Sequence, residues 1–300
     1  MKYNNQSSAA SFNAYLKLIR APGVFSILSN TLGSYGIYLQ LNAGVSVQVA
    51  QYILLLLISL CCYQFGMITN DIADFKEDQR DRPFRPLPSQ LISCKTAIIL
   101  ALVWAATALQ IAYLYSSTLF IATSALIISI LTYNFVTKSN VIGPYNMGVV
   151  RLLNWLLVLA LFDDFEMSLL VIALIIMLYT SMITIISRHE TTYFPMDSKP
   201  YLFVLIAIQV FGCFYLYVAE INIGYAIIAV FAFFIWLGND VRRFNQDKSG
   251  DVQQWVTKLL KSMVLLDALF LFAFNQWVIG IICLSFLYFS GKLAKYVYLT

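Results

Sequence analysis

Charged side chains are scarce in this sequence, and their scarcity excludes a water-soluble protein. Of the 300 residues, 11% are Asp, Glu, Lys or Arg and 60% are hydrophobic, whereas a soluble domain carries about 25% charged residues. A chain this poor in charge and this rich in apolar runs predicts a protein with several membrane-spanning helices. Residues 1–20 are polar and lack a short apolar core, so no cleavable signal peptide is predicted.

Cysteine and histidine show no pattern that indicates a metal site, a disulfide framework or a catalytic histidine. The five cysteines lie in or beside apolar segments without metal-ligand spacing, and their odd number argues against a disulfide framework. We interpret them as small core side chains. A lone histidine such as His189 is more often structural than catalytic. There is no P-loop and no GxGxxG run, so the sequence gives no support to a nucleotide- or nucleic-acid-binding role.

Ten apolar segments approach the length that a helix needs to cross the hydrocarbon core of a bilayer. The predicted fold is all-α, a polytopic membrane bundle of nine to ten transmembrane helices in a single domain that covers residues 1–300. Residues 1–20 precede the first span, and residues 277–300 form an extra C-terminal segment whose short span could be half inserted. The predicted spans are 21–41, 48–69, 96–115, 117–134, 144–162, 166–186, 201–219, 223–239, 258–274 and 277–290.

Lysine and arginine lie on one side of this topology. All of them fall in or beside the termini and the connections of that side, except Arg151 in the first half of the fifth span. Because cytoplasmic loops are enriched in Lys and Arg, we expect both termini and the polar clusters on the cytoplasmic side of a plasma or inner membrane. The opposite connections contain no Lys or Arg; they are residues 42–47, 116, 163–165, 220–222 and 275–276.

The polar stretch at residues 70–89, between the second and third spans, holds five of the fifteen acidic residues. If the preceding helix continues, Asn70, Asp74 and Asp78 lie at i, i+4 and i+8, and Asp71 joins the last two. One helical face then carries three carboxylates and an amide, with no local ladder of cations to offset them. Such oxygen ligands suit Mg2+, and the arginines that follow suit phosphate oxygens. An ordinary charged loop is the alternative.

Polar residues inside the predicted spans lean toward the same side. Asn30 lies about two turns into the first span, and Arg151 and Asn154 share a face of the fifth. Ionisable residues within a membrane are costly and usually face a wet cavity or a partner, so we expect these three to line one cavity with the acidic stretch. A structural contact between helices is the alternative. Asp267, in the ninth span, is predicted to cap a helix junction or to pair with Lys261 or a hydroxyl.

A second polar cluster follows the sixth span on the same side of the membrane. Glu190 is the favoured ligand there, because it ends a long apolar helix beside Arg188. Two clusters four spans apart predict two halves of the bundle that face each other across one cavity. The charged and ionisable residues of this cluster are Arg188, His189, Glu190, Asp197 and Lys199.

Four segments resemble the UbiA superfamily of intramembrane prenyltransferases. Residues 70–78, NDIADFKED, match its NDxxDxxxD signature, and residues 82–89, RPFRPLPS, are similar to the RP-x-RPL-x-S run that follows. Residues 133–138, YNFVTK, resemble its Tyr…Lys element, and Arg151 and Asn154 resemble polar positions of its fifth helix. Order and spacing agree along nearly the whole chain, and the first motif is the specific one.

The resemblance implies a helical bundle around a central cavity that opens laterally to lipid, with Mg2+ gripping an allylic diphosphate. It implies transfer of a prenyl group from that diphosphate to a small aromatic or other acceptor. Carried over by motif, the metal ligands are Asn70, Asp71, Asp74 and Asp78, and the catalytic residues are Asp71, Asp74 and Glu190. The diphosphate-binding residues are Arg82, Lys138, Arg188 and Arg151, and the cavity residues are Asn30, Tyr133 and Asn154.

The second motif departs from the family pattern. Where a second aspartate-rich run is usual, residues 187–190 read SRHE, with a single carboxylate. Together with the GKLAK tail, this variant resembles the EboC-like branch of the family. The alternative function is a membrane protein that binds a lipid or prenyl diphosphate for metabolite handling or export without catalysis. The one-sided distribution of polar groups favours an enzyme, because a transporter has to open to both sides.

Overall fold

The computed structural model describes residues 13–42, 48–188 and 250–294, with the side chains of the last range described from residue 255. The predicted all-α fold is confirmed, and the described residues contain no strand. A 3-10 turn at Ala21–Gly23 precedes the first long helix, and a π-helical turn at Tyr133–Thr137 follows α5. The helices are α1 (Val24–Leu41), α2 (Val49–Ala73), α3 (Phe75–Asp81), α4 (Cys94–Tyr115), α5 (Ser117–Thr132), α6 (Gly143–Phe162), α7 (Met167–Ser187), α8 (Gly250–Ala273) and α9 (Trp277–Leu293).

Each span predicted within the described residues corresponds to one of these helices. The spans predicted at 201–219 and 223–239 lie outside the described residues. The predicted C-terminal segment is helical as α9, over 17 residues. In the part of the chain that the structure describes, five helices are long and apolar enough to cross a membrane: Val49–Ala73, Cys94–Tyr115, Ser117–Thr137, Gly143–Phe162 and Met167–Ser187.

The helices form a ring whose order positions the site. α1 packs on α2, α2 on α5 and α5 on α6, while α6 packs on α7, α7 on α8, and α8 returns to α1. α4 packs on α2 and α5, and α9 packs on α1 and α8. α1 and α6 also touch each other directly.

Short polar residues separate the apolar helices. The Ser93 Oγ accepts a hydrogen bond from the Thr96 N–H at 3.1 Å, at the start of α4. The Ser116 Oγ accepts one from the Leu119 N–H at 3.1 Å, at the start of α5. Such N-caps satisfy backbone donors that a new helix leaves unpaired, so α4 and α5 form a tight hairpin around Ser116.

Helix α4 turns its small residues inward and its large residues outward. The small residues allow α2 to approach α4 closely. Helices in a membrane associate through such close packing, because the surrounding lipid is as apolar as the helices and burial away from water does not drive them together. The large apolar side chains on the outer face suit a surface covered by lipid. The buried residues of α4 are Ala97, Ala101, Ala108 and Ala112, and its exposed apolar residues include Ile98, Leu102, Val103 and Leu114.

Gly148 lies at the close contact between α6 and α7, and we expect Gly148→Ala to destabilise the protein by about 1–3 kcal/mol. A Cβ there would overlap the Ser181 Oγ and lie 2.5 Å from the Met177 carbonyl oxygen. Thermal unfolding in nanodiscs measures the effect. Gly291→Ala in α9 is the matched control, because no atom of the described residues lies within 4 Å of its added Cβ. Equal melting temperatures for the two variants would contradict the close contact.

Candidate active site

A cavity of about 600 Å³ opens at one end of the helix ring. It is bordered by the N-terminal ends of α1, α6 and α8 and by the C-terminal ends of α2, α5, α7 and α9. All these ends lie on the side where the sequence concentrates its cations. Among the described residues, the charged groups that line the cavity are two carboxylates and seven cations, an excess that favours an anionic ligand: Asp74, Glu77, Arg20, Arg82, Arg85, Lys138, Arg151, Arg188 and Lys261.

Asn70 and Asp74 bring three oxygen atoms to one point of the cavity wall. The predicted continuation of the helix is confirmed, with Asp74 alone separating α2 from α3 and its N–H still donating to the Asn70 carbonyl at 3.0 Å. The Asn70 Nδ2 donates to the Asp74 Oδ2 at 3.2 Å. The Lys138 Nζ donates to the Asn70 Oδ1 at 2.8 Å and to both Asp74 carboxylate oxygens at 2.5 Å. An ammonium therefore occupies the point where these oxygens converge.

Lys138 reaches this point because α5 ends in the π-helical turn. The Lys138 N–H donates to the Tyr133 carbonyl at 2.9 Å, in a wider turn that is often found at functional sites. The Asn134 Nδ2 ties the turn to α2 through the Thr69 Oγ1, at 2.8 Å. Burial lowers the pKa of Lys138 from its usual range, while the Asp74 carboxylate opposes that shift. The Asp74 carboxylate therefore favours the charged form of Lys138.

Asp71 and Asp78 lie behind the cavity wall. Asp78 is 1% exposed and accepts a hydrogen bond from the Arg85 Nη1 at 2.7 Å. The buried Asp71 Oδ1 lies 3.7 Å from the Arg20 Nη2 and 3.8 Å from the Arg85 Nη1, and it has no hydrogen-bond partner among the described residues. The sequence shows no ladder of cations on the same helical face, but in the structure arginines from the flanking segments pair with these carboxylates. A metal-ligand role for either aspartate stays a prediction.

Two of the predicted diphosphate-binding arginines lie near the mouth of the cavity. Arg82 lines the cavity, and its Nη1 lies 3.9 Å from the Asp78 Oδ1. Arg188, which ends α7, donates from its Nη2 to the carbonyl oxygens of Lys138 and Asn140, each at 2.6 Å. Arg188 therefore both lines the cavity and fixes the loop that carries Lys138.

Arg151 lines the cavity from α6 and is held from behind by α1. Its Nη1 donates to the Asn30 Oδ1 at 2.8 Å, and its Nη2 donates to the Ser26 Oγ at 2.9 Å. Asn30 is fully buried and lies behind the wall it was predicted to line, because its amide bridges Arg151 to Asp267. Of the partners predicted for Asp267, the structure shows a hydroxyl, that of Ser29.

A smaller cavity of about 100 Å³ adjoins the large one and extends into the bundle. Tyr133 and Asn154, both predicted as cavity residues, line it together with mostly apolar side chains. The two cavities share Tyr63, Met67, Asn70, Tyr133, Asn134, Met147 and Arg151. The combined space is charged at its mouth and apolar at its inner end, which suits a ligand with an ionic head and a hydrocarbon part.

Four charged residues of the cavity were not predicted as site residues: Arg20, Glu77, Arg85 and Lys261. Glu77 lies three residues after Asp74, which places both on one helical face. Arg85 belongs to the RPFRPLPS run, and Arg20 immediately precedes the first span on the cation-rich side. Helical spacing could have found Glu77. The contact of Arg20 with Asp71 joins segments far apart in the sequence, and no local pattern indicates it.

The second polar cluster lies largely outside the described residues. Arg188 is its last described member. His189, Glu190, Asp197 and Lys199 fall outside, so the catalytic role of Glu190 stays a prediction.

The oxygen donors of the cavity fit Mg2+. The Asn70 and Asp74 oxygens already converge on a cation, and Glu77 adds a carboxylate to the same wall. Within the described ranges, no group of three or more His, Cys, Asp or Glu could hold a metal by itself. This donor set suits Mg2+, which takes one or two carboxylates and completes its coordination with waters and substrate phosphates.

The fold and the site place this protein in the class of helical membrane proteins whose cavity combines oxygen ligands with cationic side chains. Residues 31–264 match the model of the UbiA prenyltransferase family, and the chain belongs to that family. The resemblance found in the sequence is thereby confirmed, and the family consists of integral membrane prenyltransferases. Membership of the EboC-like branch stays a prediction. No curated protein matches the chain.

Solved structures of this family share the fold. A UbiA homologue from Archaeoglobus fulgidus bound to GPP and Mg2+ has a TM-score of 0.64 at 15% identity, over 91% of this chain and 99% of that one. A UbiA homologue from Aeropyrum pernix K1 has a TM-score of 0.62 at 15% identity, over 86% and 96%. The structure of a digeranylgeranylglyceryl phosphate synthase has a TM-score of 0.61 at 18% identity, over 88% and 99%.

Proposed function

We propose that this protein is a Mg2+-dependent membrane prenyltransferase that moves a prenyl group from an allylic diphosphate to a small acceptor. The observation that carries the proposal is the cavity, with clustered cations and oxygen donors at its mouth and an apolar inner end. Its volume of about 600 Å³ is within the range of small-molecule sites. The relative bound to GPP and Mg2+ supports a prenyl diphosphate as the ligand.

In the reaction, the allylic carbon–oxygen bond breaks and the diphosphate leaves with the electron pair. An electron-rich atom of the acceptor then bonds to the allylic carbon and loses a proton. Mg2+, when bound, stabilises the negative charge of the departing diphosphate. Asn70 and Asp74 are the proposed metal ligands, and Lys138, Arg82 and Arg188 donate to phosphate oxygens. The apolar inner cavity keeps water away from the reactive prenyl carbon.

The active site is proposed to face the cytoplasm, with both termini on that side. The helix ends around the cavity all lie at one end of the bundle, where the sequence concentrates Lys and Arg. The positive-inside rule assigns such an end to the cytoplasm.

Release of diphosphate by the purified protein in nanodiscs tests the proposal. We expect release from geranyl, farnesyl or geranylgeranyl diphosphate that requires Mg2+, stops with EDTA and is accelerated by one member of a panel of phenolic and other acceptors. Mg2+-dependent binding without release would instead support the non-catalytic alternative, which the SRHE variant of the second motif favours. If the protein shows no binding and no release, that result would contradict both functions.

A further inference from the structure

Asp267 is a buried carboxylate that the proposed reaction does not use. It is fully buried in α8, and its Oδ2 accepts hydrogen bonds from the Ser29 Oγ at 2.5 Å and from the Asn30 Nδ2 at 2.7 Å. Its Oδ1 has no hydrogen-bond partner in the described part of the chain. Burying a charged group with one oxygen unpaired is costly, so stability alone gives no reason for an aspartate at this position.

The hydrogen bonds of Asp267 fix the direction of a neighbouring amide. Asparagine has one end that donates and one that accepts, and either can face a given neighbour. Because the Asn30 Nδ2 donates to Asp267, the Asn30 Oδ1 is turned toward α6. There it accepts from the Arg151 Nη1 at 2.8 Å. With the amide reversed, its NH2 group would face the guanidinium, and donor would meet donor.

We infer that Asp267 is a positioning residue for Arg151, acting through the amide of Asn30. The three residues lie on α8, α6 and α1, so the chain of bonds joins three helices behind the cavity wall.

The support leaves most of the guanidinium available to a ligand. Arginine has five N–H donors, and Asn30 and Ser26 take two of those on Arg151. Within the described residues, the other three have no hydrogen-bond partner, and the side chain lines both cavities. A guanidinium held in one orientation loses less side-chain entropy when it binds an anion. The identification of that anion as diphosphate rests on the proposed function.

Binding of inorganic diphosphate in the presence of Mg2+, measured by calorimetry on the full chain in nanodiscs, tests the inference. We expect Asp267→Leu to weaken binding about tenfold, because the amide of Asn30 loses the acceptor that orients it. Asp267→Asn keeps an acceptor oxygen in that place and should restore binding to nearly the wild-type value. A residue that acted through its charge would not be rescued by asparagine.

A double-mutant cycle with Arg151→Met makes the test specific. If Asp267 acts through Arg151, Asp267→Leu should cause no further loss once Arg151 is replaced. Asn30→Ala should reproduce the effect of Asp267→Leu, and it provides a second variant if Asp267→Leu does not fold. Ser262→Ala is the control, since it removes a buried hydroxyl from the same helix, one bonded to Tyr179 away from Arg151.

Three results would overturn the inference. The first is wild-type diphosphate affinity in both Asp267→Leu and Asn30→Ala. The second is an Asp267→Asn variant that binds as weakly as Asp267→Leu, and the third is a double variant whose loss of affinity equals the sum of the losses from Arg151→Met and Asp267→Leu. In each of these cases wild-type protein still binds diphosphate, and the proposed function stands. If the wild-type protein binds no diphosphate, the proposed function fails and this inference fails with it.

Discussion

Replacing Asp74 with alanine is expected to lower Mg2+-dependent diphosphate release by about a hundredfold or more. Asp74 supplies two of the three oxygen atoms that converge on the wall of the cavity, and the Lys138 ammonium lies 2.5 Å from both. The variant removes a proposed metal ligand and at the same time leaves Lys138 without its carboxylate. Diphosphate release from a prenyl diphosphate, followed with a coupled phosphate assay, measures the effect.

The matched control for this prediction is Asp81→Ala. Asp81 is the last residue of α3, the short helix that Asp74 precedes, and it is exposed. Its replacement should leave the rate within about twofold of the wild-type rate, because exposed charges contribute little. Asp74→Asn is a second variant, which keeps a polar side chain if alanine impairs folding. Wild-type rates in both Asp74 variants would exclude the metal-ligand assignment.

Replacing Lys138 with methionine is expected to change two affinities in opposite directions. Binding of diphosphate should weaken by about thirtyfold or more, because truncating one partner of a hydrogen-bonded charge pair costs about 2–5 kcal/mol. Binding of the metal alone should become tighter, because the ammonium that competes for the Asn70 and Asp74 oxygens is gone. Electron paramagnetic resonance of Mn2+ measures the metal affinity, and calorimetry measures the diphosphate affinity separately.

Opposite signs are the decisive feature of the Lys138 prediction, because general damage to the site would weaken both affinities. Lys95→Met is the control: it removes the same charge from an exposed position at the start of α4 and should change neither affinity. Weaker metal binding in Lys138→Met would show that the ammonium and the metal do not compete for the same oxygens.

Local spacing in the sequence predicted the helices and one wall of the site. The length of the apolar segments set the spans, and the i, i+4 relation of Asn70 and Asp74 holds in the structure because the helix continues through the junction. The meeting of this pair with Lys138, which the family resemblance implied, depends on the π-helical turn. The apolar pattern alone gives no indication of such a turn.

Contacts between distant segments were not predictable in the same way. Asn30 and Asp267 are separated by 237 positions and meet only because α8 returns to α1. The pairing of Arg85 with Asp78 depends on an irregular segment folding back over α3. Charge counting found these residues unusual, but it could not show that the arginines neutralise carboxylates before any ligand arrives.

The alanine face of α4 has a consequence for how sequence variation in this helix should be interpreted. In a protein surrounded by water, hydropathy distinguishes the inner from the outer face of a helix. In α4 both faces are apolar, and the buried positions are occupied by alanine alone. Side-chain volume, and not hydropathy, therefore decides which substitutions this helix tolerates. On the outer face, an exchange between alanine and leucine changes the contact with lipid. On the inner face, the same exchange changes the distance between α4 and the helix that it packs on.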